Sequence, residues 1–195
     1  DRSGALCFIS QDGSTAKTWM YMDTDMFIQN ATNTNMKFYT NNTERMKIDA
    51  NGHITMPTQS AFLVHPSSNQ LNFAVGSQTQ VVFGTERFDQ NADFSSNAFT
   101  APVTGKYQLS YSMYFNNVDS ATNYYQAVLS TSNKAYYAIF SATSLDQDAA
   151  YWNISKSLLV DMDANDTATL QLQVDGGTAQ TDLTVDTYFS GILLA

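Results

Sequence analysis

The chain has 195 residues and a formal net charge of −9, from 9 Lys and Arg against 18 Asp and Glu. Hydrophobic residues make up 43% of it, which is enough for a packed core and excludes a disordered tail. Charged residues make up only 14%, against about 25% in an average globular protein. Hydroxyl and amide side chains replace the missing charges, which is typical of an extracellular or virion protein rather than a cytosolic enzyme.

The same composition excludes two classes of partner. Binding to nucleic acid requires clustered Lys and Arg that displace counterions, and nine scattered basic residues do not form such a cluster. No stretch approaches the roughly 18–20 apolar residues of a membrane-spanning helix, so we expect no membrane insertion. The single cysteine, Cys7, excludes internal disulfides, and we expect it to be a small buried hydrophobic residue.

Residues 1–57 contain a loose repeat of short apolar-x-apolar cores. Residues 26–28, 36–38 and 46–48 each begin with Met and end with Ile or Phe, at a spacing of ten positions. Turn signals separate such cores, and alternating runs broken in this way predict very short strands and hairpins. The turn signals are Asp12-Gly13, Asn41-Asn42 and Asn51-Gly52.

Hairpins of this size are too small to be stable alone, so they must stack on their neighbours or on identical chains around an axis. We favour the second arrangement, a fibre shaft that ends at Pro57. The alternative is an N-terminal β-meander packed on the main domain. Residues 40–54, TNNTERMKIDANGHI, resemble the strand–turn–strand segments that precede the C-terminal domains of bacteriophage tail fibres.

Residues 58–195 predict a compact all-β domain. From Lys106 to Asn116 apolar and polar side chains alternate almost strictly, as in a strand with one buried face. Many short strands at such spacing indicate a β-sandwich or jelly roll. The other predicted strands are residues 61–64, 80–83, 124–131, 135–142, 152–160, 168–174 and 183–194.

Two of these strands are apolar on both faces. Residues 135–140, AYYAIF, and residues 191–194, GILL, do not alternate. The outer face of such a strand needs cover, which a second copy of the protein would supply. A strand buried in the centre of the domain would show the same pattern.

The centre and the end of this domain resemble the complement C1q globular-head family, which is related in fold to tumour necrosis factor. The family's closing strand is matched by YFSGILL near the C-terminus, and its centre by FTAPVTGKY. The gap from Phe94 to Phe99 is two residues shorter than usual, and Leu109 stands where the family usually has Phe. The resemblance implies a ten-stranded jelly roll that assembles as a homotrimer. The matching residues are Phe83, Asp89, Phe94, Phe99, Gly105, Tyr107, Tyr111, Phe189 and Gly191.

No motif of a catalytic site is present, so we expect no enzyme and no required cofactor. Residues 161–166 begin like a calcium-binding loop, but Asp166 and Leu172 occupy the positions that require Gly and Glu. We therefore predict a polar hairpin turn there. The two histidines, His53 and His65, do not stand in a metal-binding or catalytic spacing.

Asp146 and Asp148 fall where some trimeric members of the family that the chain resembles place calcium-binding acids. Three copies around an axis would gather carboxylates that repel one another without a cation. We favour a solvated loop over a calcium site at these two residues, and calcium is the alternative.

The function predicted from these features is that of a non-enzymatic, trimeric virion fibre tip in phage adsorption. Its partners would be other copies of itself, virion proteins upstream, and a host-surface glycan or outer-membrane protein. Recognition residues are expected on loops of the head. The predicted contacts are Asp119, Asn123, Tyr124, Tyr125, Asp175 and Thr181, and Trp152 would either stack on a sugar or pack in the core.

Two other classes of function remain open at this point. One is a structural part of the virion, a capsid decoration or fibre-trimerisation module that binds no receptor. The other is a secreted, extracellular recognition protein of the C1q-like family.

Overall fold

The chain divides into two compact units, Asp1–Thr58 and Gln59–Ala195, in the computed structural model. The structure describes residues 6–9, 16–22 and 24–195, with the backbone alone for residues 6–9, 16 and 17. The predicted Asp12-Gly13 turn and the side chain of Cys7 lie outside the described residues. In the described part of the chain the only helix is one 3-10 turn, Ala142–Ser144.

Two three-stranded antiparallel sheets make up the described part of the first unit. Asn41 and Asn42 both have positive φ, 49° and 55°, which the tight hairpin turn between paired residues Thr40 and Thr43 requires. The strands of this unit are β1 (Leu6–Ile9), β2 (Ala16–Met22) and β3 (Met26–Asn30) in one sheet, and β4 (Met36–Thr40), β5 (Thr43–Ile48) and β6 (Ile54–Thr55) in the other. Strands β3, β4 and β5 contain the predicted apolar cores at residues 26–28, 36–38 and 46–48, whereas β1 was not predicted.

The second unit, here called the head, is a jelly roll of two antiparallel sheets, as predicted. Sheet A has the order β15-β12-β18-β7-β9, with β17 also paired to β12. Sheet B has the order β10-β11-β16-β13-β14, with β8 also paired to β16. The strands are β7 (Ala61–His65), β8 (Gln78–Gln80), β9 (Thr85–Gln90), β10 (Phe94–Ser95), β11 (Ala98–Thr100), β12 (Gly105–Val118), β13 (Tyr124–Thr131), β14 (Ala135–Phe140), β15 (Ala149–Met162), β16 (Thr167–Asp175), β17 (Asp182–Leu183) and β18 (Tyr188–Leu193).

The core lies between the two sheets and is supplied by alternate residues of each strand. The predicted alternation in β12 is confirmed, because its odd-numbered residues from Tyr107 to Phe115 are all buried. On the facing sheet, the even-numbered residues of β16 from Ala168 to Val174 are buried in the same way. Each large side chain buried here contributes roughly 1.5–3 kcal/mol of transfer free energy to folding.

A cluster of phenylalanines fills one part of this core. The Phe62 ring stacks on Phe99 at 4.8 Å between centroids and on Phe94 at 5.2 Å, and meets Phe189 edge-on at 5.0 Å. A Cβ at Gly191 would come within 2.5 Å of the Phe62 ring. Gly191 therefore permits the close approach of β18 to this cluster.

Two predicted strands differ from the observed ones. The strand predicted at residues 80–83 overlaps the observed β8 only at Gln80, although Val81 and Phe83 beyond its end are buried in the core as the predicted alternation requires. The strand predicted at 183–194 is two strands, β17 and β18, separated by a turn in which the Thr187 N–H donates to the Thr184 carbonyl at 3.1 Å. The short strands β9, β10 and β11 were not predicted. Positive φ at Ser96 and Asn97 closes the hairpin of β10 and β11.

Candidate functional site

Three loops meet at one end of the head, opposite to Gln59, where the head begins. β12 runs the length of sheet A, from the neighbourhood of Ile192 and Ala61 to Val118. Residues 117–123, which are the last two residues of β12 and the loop after it, meet residues 146–148 and 175–181. We call these three segments the distal loop cluster. It contains four of the six predicted contact residues outright and adjoins the other two, Tyr124 and Tyr125.

The carboxylate of Asp119 ties two segments of the distal loop cluster together. One carboxylate oxygen, Oδ1, accepts the N–H of Ala121 at 2.8 Å. The other, Oδ2, accepts the N–H of Thr178 at 2.6 Å and its hydroxyl at 3.0 Å. Burial of the carboxyl opposes its ionisation, but these hydrogen bonds outweigh the burial and lower the pKa of Asp119.

The hydroxyl of Tyr125 continues this network beneath the loops. It accepts the N–H of Asp119 at 2.9 Å and lies 2.6 Å from Thr181 Oγ1. The Thr181 hydroxyl donates to the Asn117 carbonyl at 3.0 Å, so the Tyr125 hydroxyl is the donor to Thr181. The Tyr125 ring stacks on Phe140 at 4.9 Å, which fixes the position of the hydroxyl.

Asp148 joins the third segment to the cluster. Its Oδ1 accepts both the N–H of Ser120 at 2.9 Å and the Ser120 hydroxyl at 2.7 Å. Its Oδ2 accepts the side-chain amide of Gln180 at 2.9 Å. The N–H of Ser120 and the amide of Gln180 stabilise the ionised form, so the pKa of Asp148 is lowered.

The turn at Gly176 and Gly177 leaves no room for a side chain at its second position unless neighbouring side chains shift. Gly177 has φ of +75°, and a Cβ there would lie 2.5 Å from Asp119 Oδ2 and 2.6 Å from Thr122 Oγ1. The absence of a side chain at Gly177 therefore lets the turn approach the Asp119 carboxylate.

Three of the residues predicted to contact a receptor are buried in the head. Asp119, Tyr125 and Thr181 are only 4%, 0% and 1% exposed, because their polar groups hold the loops from inside. A receptor cannot touch these three side chains while the loops keep this structure. Asn123 is exposed and donates its side-chain amide to the Asp175 carboxylate at 3.0 Å. Asn123 stays a predicted contact, together with the half-buried Tyr124 and Asp175.

The two candidate calcium ligands have different surroundings. Asp146 is exposed in its loop, whereas both carboxylate oxygens of Asp148 accept hydrogen bonds from Ser120 and Gln180. Across the described part of the chain, no three His, Cys, Asp or Glu side chains lie close enough together to hold a metal ion. Within the described part of one chain, Asp146 and Asp148 therefore do not belong to a cluster of three such side chains.

The outer face of sheet A is the second surface of interest, because it exposes large apolar side chains. Leu159, Ile192 and Phe88 lie on this face and are exposed, and Tyr151 is exposed near its far end. Between them, the Ser110 and Ser157 hydroxyls bond to each other at 2.8 Å. A shallow depression of about 300 Å³ runs over these serines. Its lining residues are Ser110, Tyr111, Ser155, Lys156, Ser157 and Tyr188.

Trp152 packs against the protein itself. Its ring stacks on Phe140 at 4.8 Å between centroids, in series with the Tyr125 ring on the other face of Phe140. Part of the indole remains exposed. This arrangement favours the packing role over the sugar-stacking role that the sequence also allowed.

The residues of the family signature are structural. Their aromatic members are buried, and the Asp89 carboxylate accepts the N–H groups of Asp93 and Phe94 at 3.1 and 3.0 Å. A Cβ at Gly105 would lie 2.6 Å from the Ala195 carbonyl oxygen. The absence of a side chain at Gly105 therefore leaves room for Ala195 beside β12. The hydroxyl of Tyr111 has no hydrogen-bond partner among the described residues, and burial raises its pKa to about 12. Buried in the core are Phe83, Phe94, Phe99, Tyr107, Tyr111 and Phe189.

Comparison with known proteins identifies the family. The model of the C1q domain matches residues 61–194, and the chain therefore belongs to the C1q domain family. The globular domain of zebrafish complement 1qA superimposes with a TM-score of 0.52 at 15% identity, over 70% of this chain and 98% of that one. Murine APRIL at pH 8.5 gives a TM-score of 0.51 at 16% identity, over 70% of this chain and 99% of that one.

These similarities show the jelly roll shared by C1q and tumour necrosis factor-like proteins. Domains of this kind are in general trimeric recognition modules without enzymatic activity. No curated protein matches the sequence. In the described part of the chain, no helix has the length and apolarity needed to cross a membrane.

One group of surface residues was missed by the sequence reasoning. The outer face of sheet B carries the glutamines of β8, β13 and β16, which stand side by side. The alternating stretches QTQ (78–80) and QLQ (171–173) were the signal, because alternation places both glutamines of each stretch on one face of a strand.

Proposed function

We propose that this chain is the receptor-binding end of a trimeric virion fibre, which attaches a phage to a molecule on the host surface. The head would form the trimer and present three equal sets of distal loops, and the first unit would form the end of the shaft. The fold of a C1q domain and the apolar outer face of sheet A are the observations that carry this proposal.

The outer face of sheet A supports self-association of the head. Leu159 and Ile192 lie on either side of Gln108 in one row across β15, β12 and β18. Exposed apolar side chains that continue across neighbouring strands are typical of a surface that another chain covers. With closed symmetry, two neighbours would cover the face of each protomer, which matches the apolar second face predicted for β18. The other strand predicted to be apolar on both faces, β14, lies in sheet B and would not be covered in this way.

The first unit supports the fibre part of the proposal. Its hairpins are short and leave large apolar side chains exposed, among them Met22, Met26, Ile28 and Ile54. Sheets of three short strands that expose this much apolar surface gain stability by packing on identical chains. A shaft of three chains would provide such packing.

Trimerisation would also serve attachment. Three copies on one stem, and several fibres on one particle, convert weak single contacts into strong attachment because each later contact forms at a high effective concentration. The exposed parts of the distal loop cluster, including Asn123, are at the end of the head where such contacts would form. The buried bonds of Asp119 and Tyr125 would hold these loops in one conformation before binding.

The test is to stain a panel of bacterial strains with the fluorescently labelled chain. We expect at least one strain to be stained, and the unlabelled chain to reduce adsorption of a phage that infects that strain. Leu159→Arg, which places a charge on the outer face of sheet A, should weaken staining by at least about tenfold through loss of avidity. Leu71→Arg is the matched control, since Leu71 is equally exposed but lies in the loop between β7 and β8.

A trimer that stains no strain would overturn the receptor-binding role and would favour the structural module. A chain that stains strains as a stable monomer would instead overturn the trimeric mechanism.

A further inference from the structure

The outer face of sheet B is built from uncharged side chains, most of them polar, in rows that run across the strands. One row holds Gln78, Gln173, Gln126 and Ile139, in register across β8, β16, β13 and β14. The next row holds Gln80, Gln171, Val128 and Tyr137. The third holds Ala98, Thr169, Ser130 and Ala135, across β11, β16, β13 and β14. None of the residues in these three rows carries a charge, and we call this surface the glutamine face.

The side chains of the glutamine face are held by one another. The Gln126 amide donates to Gln173 Oε1 at 3.2 Å, and the Gln173 amide donates to the Tyr124 hydroxyl at 3.2 Å. The Gln78 amide donates to Gln171 Oε1, and the Gln80 amide donates to the Asn97 carbonyl at 3.0 Å. Long side chains that are already bonded to each other lose little further conformational freedom when a ligand binds.

Each glutamine of the face retains hydrogen-bonding capacity. A primary amide has two N–H donors and a carbonyl oxygen with two lone pairs, and the bonds above use only part of these. Gln78 and Gln80 are exposed, and Gln126, Gln171 and Gln173 are partly exposed, so the unused donors and acceptors are open to solvent. The face therefore offers fixed, alternating donors and acceptors without a net charge.

An aromatic side chain stands at the edge of the glutamine face. Tyr137 is 51% exposed on β14 and lies in the same row as Gln171. Its backbone is held in place because Lys156 Nζ donates to the Tyr137 carbonyl at 2.7 Å. Beside it, Ile139 adds a second exposed apolar side chain to the edge.

We propose that the glutamine face binds an uncharged polysaccharide, an inference that rests on the proposed role in host-surface recognition. The hydroxyl groups of a neutral sugar are both donors and acceptors, which suits paired amides, and the C–H face of the ring packs on an exposed aromatic ring. A charged glycan would gain no ion pair from the three rows. Strands about 4.8 Å apart make the four-stranded face roughly 14 Å wide, which is the scale of a short oligosaccharide.

The probes are three neutral polysaccharides, dextran, mannan and galactan, each cast into a native gel through which the chain migrates. We expect retardation by at least one of them. Tyr137→Ala and Gln171→Ala should each weaken that interaction by about tenfold, whereas Tyr137→Phe, which keeps the ring, should retain it. Leu71→Ala is the matched control, because Leu71 is 64% exposed in the loop between β7 and β8, outside both the glutamine face and the distal loop cluster.

Two results would overturn the inference. One is migration unchanged by all three polysaccharides, and the other is retardation that Tyr137→Ala and Gln171→Ala leave unaltered while both variants remain folded by circular dichroism. Staining of bacteria separates this failure from that of the proposed function. If the chain stains a strain and both variants stain it equally, the head binds its receptor elsewhere. If a polysaccharide retards the chain but the chain stains no strain, the result supports the glycan site and contradicts the phage-receptor role.

Discussion

The hydroxyl of Tyr125 lies 2.6 Å from Thr181 Oγ1, inside the head and beneath the loops that the sequence marked as a contact surface. Both residues are fully or almost fully buried. This bond joins the start of β13 to the loop after β16, and it shows that the distal loops are anchored to the core. The loop positions are therefore set by folding, and the following predictions test that anchoring and the assembly that depends on it.

Tyr125→Phe should lower the free energy of unfolding by about 1–3 kcal/mol. The change keeps the ring that stacks on Phe140 but leaves the buried N–H of Asp119 without its acceptor. Chemical denaturation, with the midpoint and slope compared with the unmodified chain, measures the change. A loss below about 0.5 kcal/mol would show that the hydroxyl does not anchor the loops.

Tyr111→Phe should have the opposite outcome, with stability unchanged or raised by about 1 kcal/mol. The buried Tyr111 hydroxyl has no partner among the described residues, so its removal relieves a desolvation cost and breaks no bond. The raised pKa of this phenol, about 12, reflects the same burial. Chemical denaturation of Tyr111→Phe and Tyr125→Phe under the same conditions compares the contributions of the two hydroxyl groups to stability. A clear loss of stability in Tyr111→Phe would contradict the prediction.

Gly177→Ala should destabilise the head more than Gly76→Ala does, by about 1–3 kcal/mol. Both glycines have positive φ, +75° and +78°, so the backbone strain of the two substitutions is alike. Only at Gly177 would the new Cβ meet the Asp119 carboxylate, whereas at Gly76 nothing lies within 4 Å. Thermal unfolding of the two variants isolates the clash. Equal losses would show that the approach to Asp119 is unimportant.

The stability contributed by Asp119 should be lost in acid. Its pKa is lowered in the folded state, so the contribution is fully present above the usual carboxyl pKa of about 3.9. It declines as the pH falls from there through the lower folded-state pKa. Comparing unfolding of the chain with that of Asp119→Asn at several pH values isolates this residue, because the other carboxyls titrate in both proteins.

We expect Asp119→Asn to be less stable at neutral pH, and the difference from the unmodified chain to shrink as the pH falls below about 4. A difference that stays constant over that range would contradict the role of the ionised carboxylate.

Leu159→Arg should convert a trimer into monomers at micromolar concentration. The charge would replace an apolar side chain, 66% exposed in the single chain, that the proposed interface buries. Sedimentation should give three times the chain mass of 21.6 kDa for the unmodified protein and a single chain mass for the variant.

Leu71→Arg, at a site 64% exposed in the single chain, should leave the trimer intact. A stable monomer of the unmodified chain would contradict the assembly altogether.

Local pattern was enough to predict the long strands and the family. The alternation in β12 reports a buried face directly, because neighbouring side chains of a strand point to opposite sides. β13 was predicted with its observed ends, residues 124–131, because turn-rich segments bound it. The single strand predicted at 183–194 was wrong because the turn after β17 is also held by a distant residue. The Thr184 N–H donates to the Tyr114 carbonyl at 2.9 Å, and the Tyr114 N–H donates to the Thr187 hydroxyl at 3.0 Å.

For the site residues too, local sequence predicted one property, the composition of the loops, but not another, the burial of individual side chains. A loop rich in Asp, Asn, Tyr and Thr suggests recognition by composition, and the distal loop cluster contains such residues as predicted. Whether a given hydroxyl faces solvent or the core depends on partners far along the chain. Tyr125 and Thr181 are 56 positions apart, and Asp119 and Thr178 are 59 apart. Their burial could not be foreseen from either segment alone.

The sequence by itself determined the scarcity of charge, the alternation that places one face of each strand in a core, and the spacing of the residues typical of a C1q domain. These are local properties, set by the chemistry and order of neighbouring residues. The tertiary structure alone decided which polar residues became buried anchors and which glutamines came to stand together. Strand register decided this, because the pairing of β8, β16, β13 and β14 brings distant segments side by side.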